Sequence, residues 1–363
     1  MTAILILILL ALVFVYINGF HDTANAIATV VSTRALSPRA AIVLATTTNL
    51  AGALVGTAVA ATVAHDLVDA RFITIGTIIG ALLGAIVWDL LTWWWGLPSS
   101  SSHALVGGLC GAALASAHNN WSEIIWAVPG GTHWWQGAGV IYRVIIPMFV
   151  SPLLGFVGAY LASGLLYLLL RNWSVERVDR VFGRLQIFSG GYIGFAHGHN
   201  DAQKTIGVVL LALVAATKAG TFDQLPGWLS FLRTTEAAPG EPLQVATWLR
   251  MACAVALAAG TAAGGWRIIQ TMGRRITELK PIHGFAAETT AATVLTAAAF
   301  WGFPVSTTHT ITAAVGGVGA SRRFNALHLG VVEKILWAWV FTVPASALAA
   351  YVAMLILRAV GLE

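Results

Sequence analysis

The chain has 363 residues, of which 58% are hydrophobic and only 10% charged, with a mean hydropathy of +0.79. That balance leaves too little polar surface to face water, so it excludes a soluble domain and predicts an all-α integral membrane protein. Twenty Lys and Arg against fifteen Asp and Glu give a formal charge of +5. The basic residues are spread over loops and not gathered on one face, which argues against nucleic acid as a partner and makes them reporters of topology.

The first apolar stretch, 2–20, has no basic residue before it and runs on into a polar motif, so it is expected as a spanning helix and not a cleaved leader. Further stretches follow at 41–64, 74–96, 139–170, 186–216, 245–267, 283–301 and 328–358. Each meets the roughly 20 residues that a crossing needs. Thirteen basic residues fall in four regions: Arg34 and Arg39; Arg171, Arg177, Arg180 and Arg184; Arg267, Arg274, Arg275 and Lys280; Arg322, Arg323 and Lys334. The positive-inside rule makes these cytoplasmic and puts 65–73, 118–137 and 218–244 outside, with an external N-terminus. Residues 74–117 then begin and end outside, and 283–320 begin and end inside. Each is expected as a re-entrant helical hairpin with its tip at a Trp-Gly-(Leu/Phe)-Pro motif, the proline opening the second half-helix at its first position. The predicted fold is two inverted-topology repeats with about six full spans and two hairpins: repeat 1 over 1–170, a charged cytoplasmic linker over 171–185, and repeat 2 over 186–363. Cys110 and Cys253 lie in apolar helices and read as packing residues, so neither a disulfide framework nor a structural metal is expected.

Two polar motifs interrupt this apolar frame, and both occur twice. Gly19-Phe20-His21-Asp22-Thr23-Ala24-Asn25-Ala26-Ile27 returns as Gly198-His199-Asn200-Asp201-Ala202-Gln203-Lys204-Thr205-Ile206. Trp95 to His103 (WGLPSSSSH) returns as Trp301 to His309 (WGFPVSTTH). Duplicated polar breaks in membrane segments point to a transporter's binding site. A half-helix starting at mid-membrane offers unpaired N–H groups at a positive dipole end, and the hydroxyls of Ser99 to Ser102, or of Ser306, Thr307 and Thr308, add donors that suit a tetrahedral oxyanion. Helix capping by the same hydroxyls is the plainer alternative for a single copy.

Asp22 and Asp201 are equivalent acids within apolar stretches, where an uncompensated charge costs at least about 2.5 kcal/mol. They are functional candidates, with a structural pairing to Lys204 or a histidine as the alternative. Glycines 19, 194 and 198 are expected to let these helices unwind and free carbonyls for a cation. Glu288 is a third buried acid, sixteen residues before Pro304, and sixteen before Pro98 stands Leu82, so Glu288 has no counterpart in the first half. Asp89, six residues before Trp95 in the first hairpin, reads either as a compensator for that missing counterpart or as an interfacial residue, and its role stays open. His103 and His309, after the hydroxyl clusters, and His21, His197 and His199, flanking the aspartates, are candidates for a proton relay, above all His21, His103 and His309, with hydrogen-bonded packing as the alternative.

With these residues in view, the chain resembles the inorganic phosphate transporter family, PiT, over essentially its full length, and within it the bacterial low-affinity branch. The resemblance rests on the two aspartate motifs and the two Pro-x-Ser/Thr-Ser/Thr-His tips. It implies a symporter of the plasma membrane, not an enzyme, with inorganic phosphate as substrate and the lipid bilayer as surroundings. A second copy of the chain is a candidate partner. Phosphate would be faced by Asn25, Ser100, Ser101, Ser102, Ser306, Thr307 and Thr308. Asp22, Asn200, Asp201 and Glu288 would handle the cation or proton. Sodium-driven members tend to carry Asn-Asp-x-x-Asn in both copies. Here the first copy begins His21-Asp22 and the second has Lys204 at the final asparagine, an ammonium that replaces a sodium ion and neutralises phosphate. The expectation is therefore proton coupling, with no cofactor, and a neutral metal-phosphate complex as the transported form. Sodium coupling and sulfate transport are the rivals. A carboxylate in the site favours phosphate, which can donate a hydrogen bond that sulfate cannot, a difference of roughly 1–3 kcal/mol.

Overall fold

The computed structural model describes residues 2–68, 73–130, 133, 136–223, 226–234, 244–322 and 327–361. Arg323 and the side chain of Arg274, both used to read topology, lie outside the described residues. Among the described residues twelve α-helices make up the fold, in two series. The first comprises α1 (Thr2–Ser32), α2 (Pro38–Ala53), α3 (Ala58–His65), α4 (Ile75–Trp95), α5 (Ser101–Ser116) and α6 (Ile146–Leu169). The second comprises α7 (Val175–Lys218), α8 (Thr247–Ala263), α9 (Trp266–Gln270), α10 (Pro281–Phe300), α11 (Thr307–Arg322) and α12 (Leu329–Ala359). Among the described residues there is no β-strand, only two isolated bridges, Val68 with Ile124 and Val128 with Ala138.

Four helical stretches, Thr2–Ser32, Ile75–Trp95, Ile141–Leu169 and Leu329–Ala359, are long and apolar enough to cross a membrane, and two bent pairs raise the number to six. The pairs correct the reading of 41–64 and 245–267 as single helices. α2 and α3 meet at 66°, and α8 and α9 at 59°. The bends fall at Gly56 (φ +79) and Gly264 (φ +74), left-handed backbone that glycine adopts without a Cβ clash. The charged stretch 171–185 is also not a loop throughout. Ser174 caps a helix by accepting from the Arg177 N–H, so α7 takes in Val175 onward and reaches 44 residues, about 66 Å at 1.5 Å per residue.

The helices pair reciprocally between the series. α1 packs on α8 as α7 packs on α2, and α5 packs on α12 as α11 packs on α6. At the first pair of interfaces small residues let backbones touch. A Cβ on Gly19 would lie 2.2 Å from the Leu257 carbonyl oxygen, and one on Gly198 would lie 2.1 Å from that of Asn49. This corrects the expectation that Gly19, Gly194 and Gly198 unwind their helices. α1 and α7 run unbroken through the motifs, and the glycines serve close approach instead.

The Trp-Gly-x-Pro segments turn the chain between the packed helices α4 and α5 and between α10 and α11, each pair a helix–turn–helix hairpin, with Gly96 and Gly302 at positive φ in the turns. The prolines are not first helical residues, however. Ser100 and Ser306 act as N-caps, accepting from the N–H of His103 at 3.2 Å and His309 at 3.1 Å. α5 and α11 therefore start at Ser101 and Thr307, three residues beyond each proline, because a side-chain cap satisfies an orphan donor that proline cannot. Cys253 is fully buried and Cys110 partly so, both as free thiols in apolar packing. Two apolar cores result. One gathers Ile4 to Ile17 with Ala202 to Ala216, the other Ala24 to Val30 with Ile193 and Ala196. The polar motifs of α1 and α7 lie at the seam.

Candidate functional site

At the seam the starts of α5 and α11 meet. The rings of His103 and His309, each the third residue of its helix, pack edge to face with centroids 4.8 Å apart. Both helices thus bring their unpaired N-terminal N–H groups toward the aspartate segments of α1 and α7. Lys204, fully buried on α7, directs all three N–H donors there: to the Ser102 hydroxyl, to Asp201 Oδ1 at 2.5 Å, and to the Val305 carbonyl at 2.8 Å. One ammonium so ties the tips of both hairpins to one aspartate.

Asn25 on α1 completes the opposite side. Its amide donates to Thr307 Oγ1 at 3.2 Å and Thr308 Oγ1 at 3.0 Å. Thr307 donates onward to Asp201 Oδ2 at 3.2 Å, and Thr308 to Asp22 Oδ1 at 3.2 Å. The second hairpin's hydroxyls therefore bridge the two acids. His21 Nδ1 stands 2.8 Å from Asp22 Oδ1, and its Nε2 stands 3.1 Å from Thr92 Oγ1 on α4.

His197 sits between the carboxylates. Its Nδ1 lies 2.7 Å from Asn49 Oδ1, while the Asn49 amide donates to Thr261 Oγ1 at 2.9 Å, which in turn donates to the Leu257 carbonyl at 3.0 Å. That chain orients the asparagine oxygen toward the ring and puts a proton on Nδ1. Nε2 approaches Asp201 Oδ2 to 3.0 Å and Asp22 Oδ2 to 3.8 Å as a charge contact, outside hydrogen-bond angles. Two acceptors facing one ring nitrogen are reconciled by a proton on that nitrogen or on a carboxyl group. The ligating atoms of Asp22, His197 and Asp201 all lie within 4.8 Å of one another, so a cation could occupy the same position.

Glu288 on α10 forms a separate cluster. Its Oε1 accepts from Thr29 and, at 3.0 Å, from Gln186 Nε2, and its Oε2 accepts from Ser189. Thr29 stands seven residues beyond Asp22 on α1, about 10.5 Å along the helix, so this acid belongs to the next layer.

The phosphate transporter family model matches residues 18–350. The chain belongs to that family. It is 37% identical over 356 residues, covering 98% of this chain and 97% of the other, to a probable low-affinity inorganic phosphate transporter of Bacillus subtilis. A protein of the same description from Rhizobium meliloti is 42% identical over 94% of this chain and 92% of its own. The low-affinity inorganic phosphate transporter PitB of Escherichia coli is 29% identical over 95% of each. The solved structure of a protein described as a sodium-dependent phosphate transporter superposes with a TM-score of 0.81 at 22% identity, covering 99% of this chain and 100% of that one, and so shares the fold.

Within this family member, Asp22, Asn25, Ser102, Asp201, Lys204, Thr307 and Thr308 come together in one network, with His21 at its edge. Ser100 and Ser306 are caps. Ser101 is buried beside Asp89 and outside this network, the buried side chain of Asn200 meets no hydrogen-bond partner among the described residues, and Glu288 stands apart. His103 and His309 lie in packing contacts: His309 stacks on Trp339 at 4.0 Å, and neither His103 nitrogen meets a hydrogen-bond partner among the described residues. Asn49 and Thr92 were not among the expected site residues, whereas His197 was expected only as one of the histidines flanking the aspartates. His197 was within reach, since a residue four before Asp201 shares its helix face. Asn49 and Thr92 carry no such signal, because they arrive from other helices.

Proposed function

We propose that the chain carries inorganic phosphate across the plasma membrane by proton symport. Residues 1–170 and 186–363 act as inverted repeats, and hairpins 74–117 and 283–320 alternate access to a site between them. The reciprocal helix pairing supports the repeat. The observation that carries the coupling reading is Lys204 donating to Asp201 and to both hairpin tips, with His197 between the two aspartates. A fixed ammonium and an imidazole fill positions where a sodium ion would otherwise be held by carboxylates. Protonation of Asp22, Asp201 or His197 would then free hydroxyl and amide donors, including Thr307, Thr308 and Asn25, to turn to phosphate. Two carboxylates against one ammonium and one titrating ring leave no surplus positive charge, which suits a neutral metal-phosphate complex as the transported form better than a bare dianion.

Sodium coupling is the second reading, favoured by the three ligating atoms within 4.8 Å and by the sodium dependence in the description of the solved relative. Radiolabelled phosphate uptake into proteoliposomes under an imposed pH gradient, without sodium, separates the two, with magnesium and sulfate varied. Uptake that follows the pH gradient and resists sulfate is expected. Uptake that needs sodium and ignores the pH gradient would overturn the coupling, and abolition by sulfate would overturn the substrate.

A further inference from the structure

Asp89 is fully buried on α4, and neither of its carboxylate oxygens meets a hydrogen-bond partner among the described residues. The Ser101 hydroxyl, at the start of α5, is the side-chain donor that acts on it, and among the described residues Ser101 Oγ has no other hydrogen-bond partner. The charged groups acting on it from neighbouring helices are His21 and Asp22 of α1 and Asp201 of α7. Thr92, one turn along the same face of α4, touches His21 Nε2 at 3.1 Å and accepts from Ser99 Oγ at 3.1 Å. A polar line from Asp22 through His21 and Thr92 thus ends on the helix face that holds Asp89.

Packing does not call for an acid there. Asp89 stands six residues before Trp95, and six before Trp301 in the second hairpin stands Leu295, fully buried in the apolar core. Glu288 in turn falls in register with Leu82, also fully buried. Each hairpin therefore carries one buried acid on its first helix, offset by seven residues, or two turns. Glu288 accepts from three donors, those of Thr29, Gln186 and Ser189. Asp89 has only the Ser101 hydroxyl beside it, and a buried carboxylate so short of donors is stable only with a positive charge bound or as the neutral acid.

We propose that Asp89 is a second protonation position of the translocation site, taking up a coupling proton on one side of the membrane and releasing it on the other with phosphate. This rests on the proton-symport reading. The test compares the parent chain with Asp89→Asn and with Asp89→Leu, the residue that the other hairpin tolerates. Proteoliposomes are assayed for labelled phosphate exchange and for accumulation driven by a pH gradient. Loss of one coupled proton predicts a fall of about tenfold in accumulation relative to exchange for each unit of pH gradient. An unchanged ratio in either variant overturns the proposal. So does failure of both variants to yield folded protein, which would make Asp89 a structural residue. A parent chain that shows no proton-driven accumulation removes the symport reading itself, and the role of Asp89 falls with it.

Discussion

Asn25 on α1 and Lys204 on α7 each follow an aspartate by three residues, and each reaches a hairpin tip. Asn25 directs a neutral amide to Thr307 and Thr308 of the second tip. Lys204 directs an ammonium to Ser102 of the first tip, the Val305 carbonyl of the second, and its own aspartate. Equivalent backbone positions therefore carry unequal work. One half tethers a single tip with polar bonds, and the other cross-links both tips through a fixed charge. The difference teaches that equivalent positions need not carry equivalent chemistry: one of the two matched motifs has a positive charge built into the chain where the other has a neutral amide.

Making the halves alike should give the largest effect. Lys204→Asn removes the ammonium and leaves Asp201 buried with His197 and Thr307. Breaking a buried ion pair costs about 3–5 kcal/mol, so phosphate uptake should fall roughly a hundredfold or more. Initial rates with and without sodium are the measurement. Restoration by sodium would show that the ammonium stands in for a cation. Parent-like rates without sodium would break the comparison.

Next comes the acid with no counterpart. Glu288→Leu installs the residue found at Leu82 and deprives Thr29, Gln186 and Ser189 of their shared acceptor. Each donor that finds no other partner costs about 1–3 kcal/mol, and Ser189 alone has a nearby alternative in the Gln186 carbonyl at 3.3 Å. The melting temperature in detergent should drop clearly, and Glu288→Gln, which keeps one acceptor oxygen, should recover much of it. Equal melting temperatures for the two variants would show that acceptor loss is not the cause. Asn25→Ala should matter less: two hydrogen bonds to hydroxyls go, costing about 1–3 kcal/mol in all, seen as a rise in KM of about tenfold. An unchanged KM would detach Asn25 from the substrate site.

Much of the site was legible because the chemistry is written twice. Asp22 and Asp201, Asn25 and Lys204, and the hydroxyl pairs Ser101-Ser102 and Thr307-Thr308 align by simple register. What stayed hidden depends on partners remote in sequence. Asn49 sets the proton on His197 from α2, and Thr92 meets His21 from α4. The helix starts fall later than the prolines suggest because the serine cap two residues on, and not the proline, sets them. The glycines mislead because flexibility and close packing leave the same residue in the sequence, and only the approach of Leu257 and Asn49 backbone to α1 and α7 distinguishes them.

The smallest predicted effect concerns how tightly each hairpin is held. On the first, α4 presses against α12 so closely that a Cβ on Gly84 would lie 2.5 Å from the Ala350 Cβ and 2.6 Å from its nitrogen. Between the second hairpin and α6 lies instead a cavity of about 630 Å³, lined by Val150, Leu154, Val294, Ala297, Phe303 and Val305 among others. Overpacking a backbone contact costs about 1–3 kcal/mol, whereas a methylene added beside open space meets no such resistance. Gly84→Ala should therefore lower the melting temperature, and Val294→Leu should leave it nearly unchanged. Because Val305 both lines the cavity and accepts from Lys204, filling the space also bears on movement. If the second hairpin swings into it during transport, Val294→Leu slows uptake at unchanged stability. If uptake is as unaffected as stability, the looseness of that hairpin has no part in alternating access, and the tightly packed first hairpin is no more fixed than its partner.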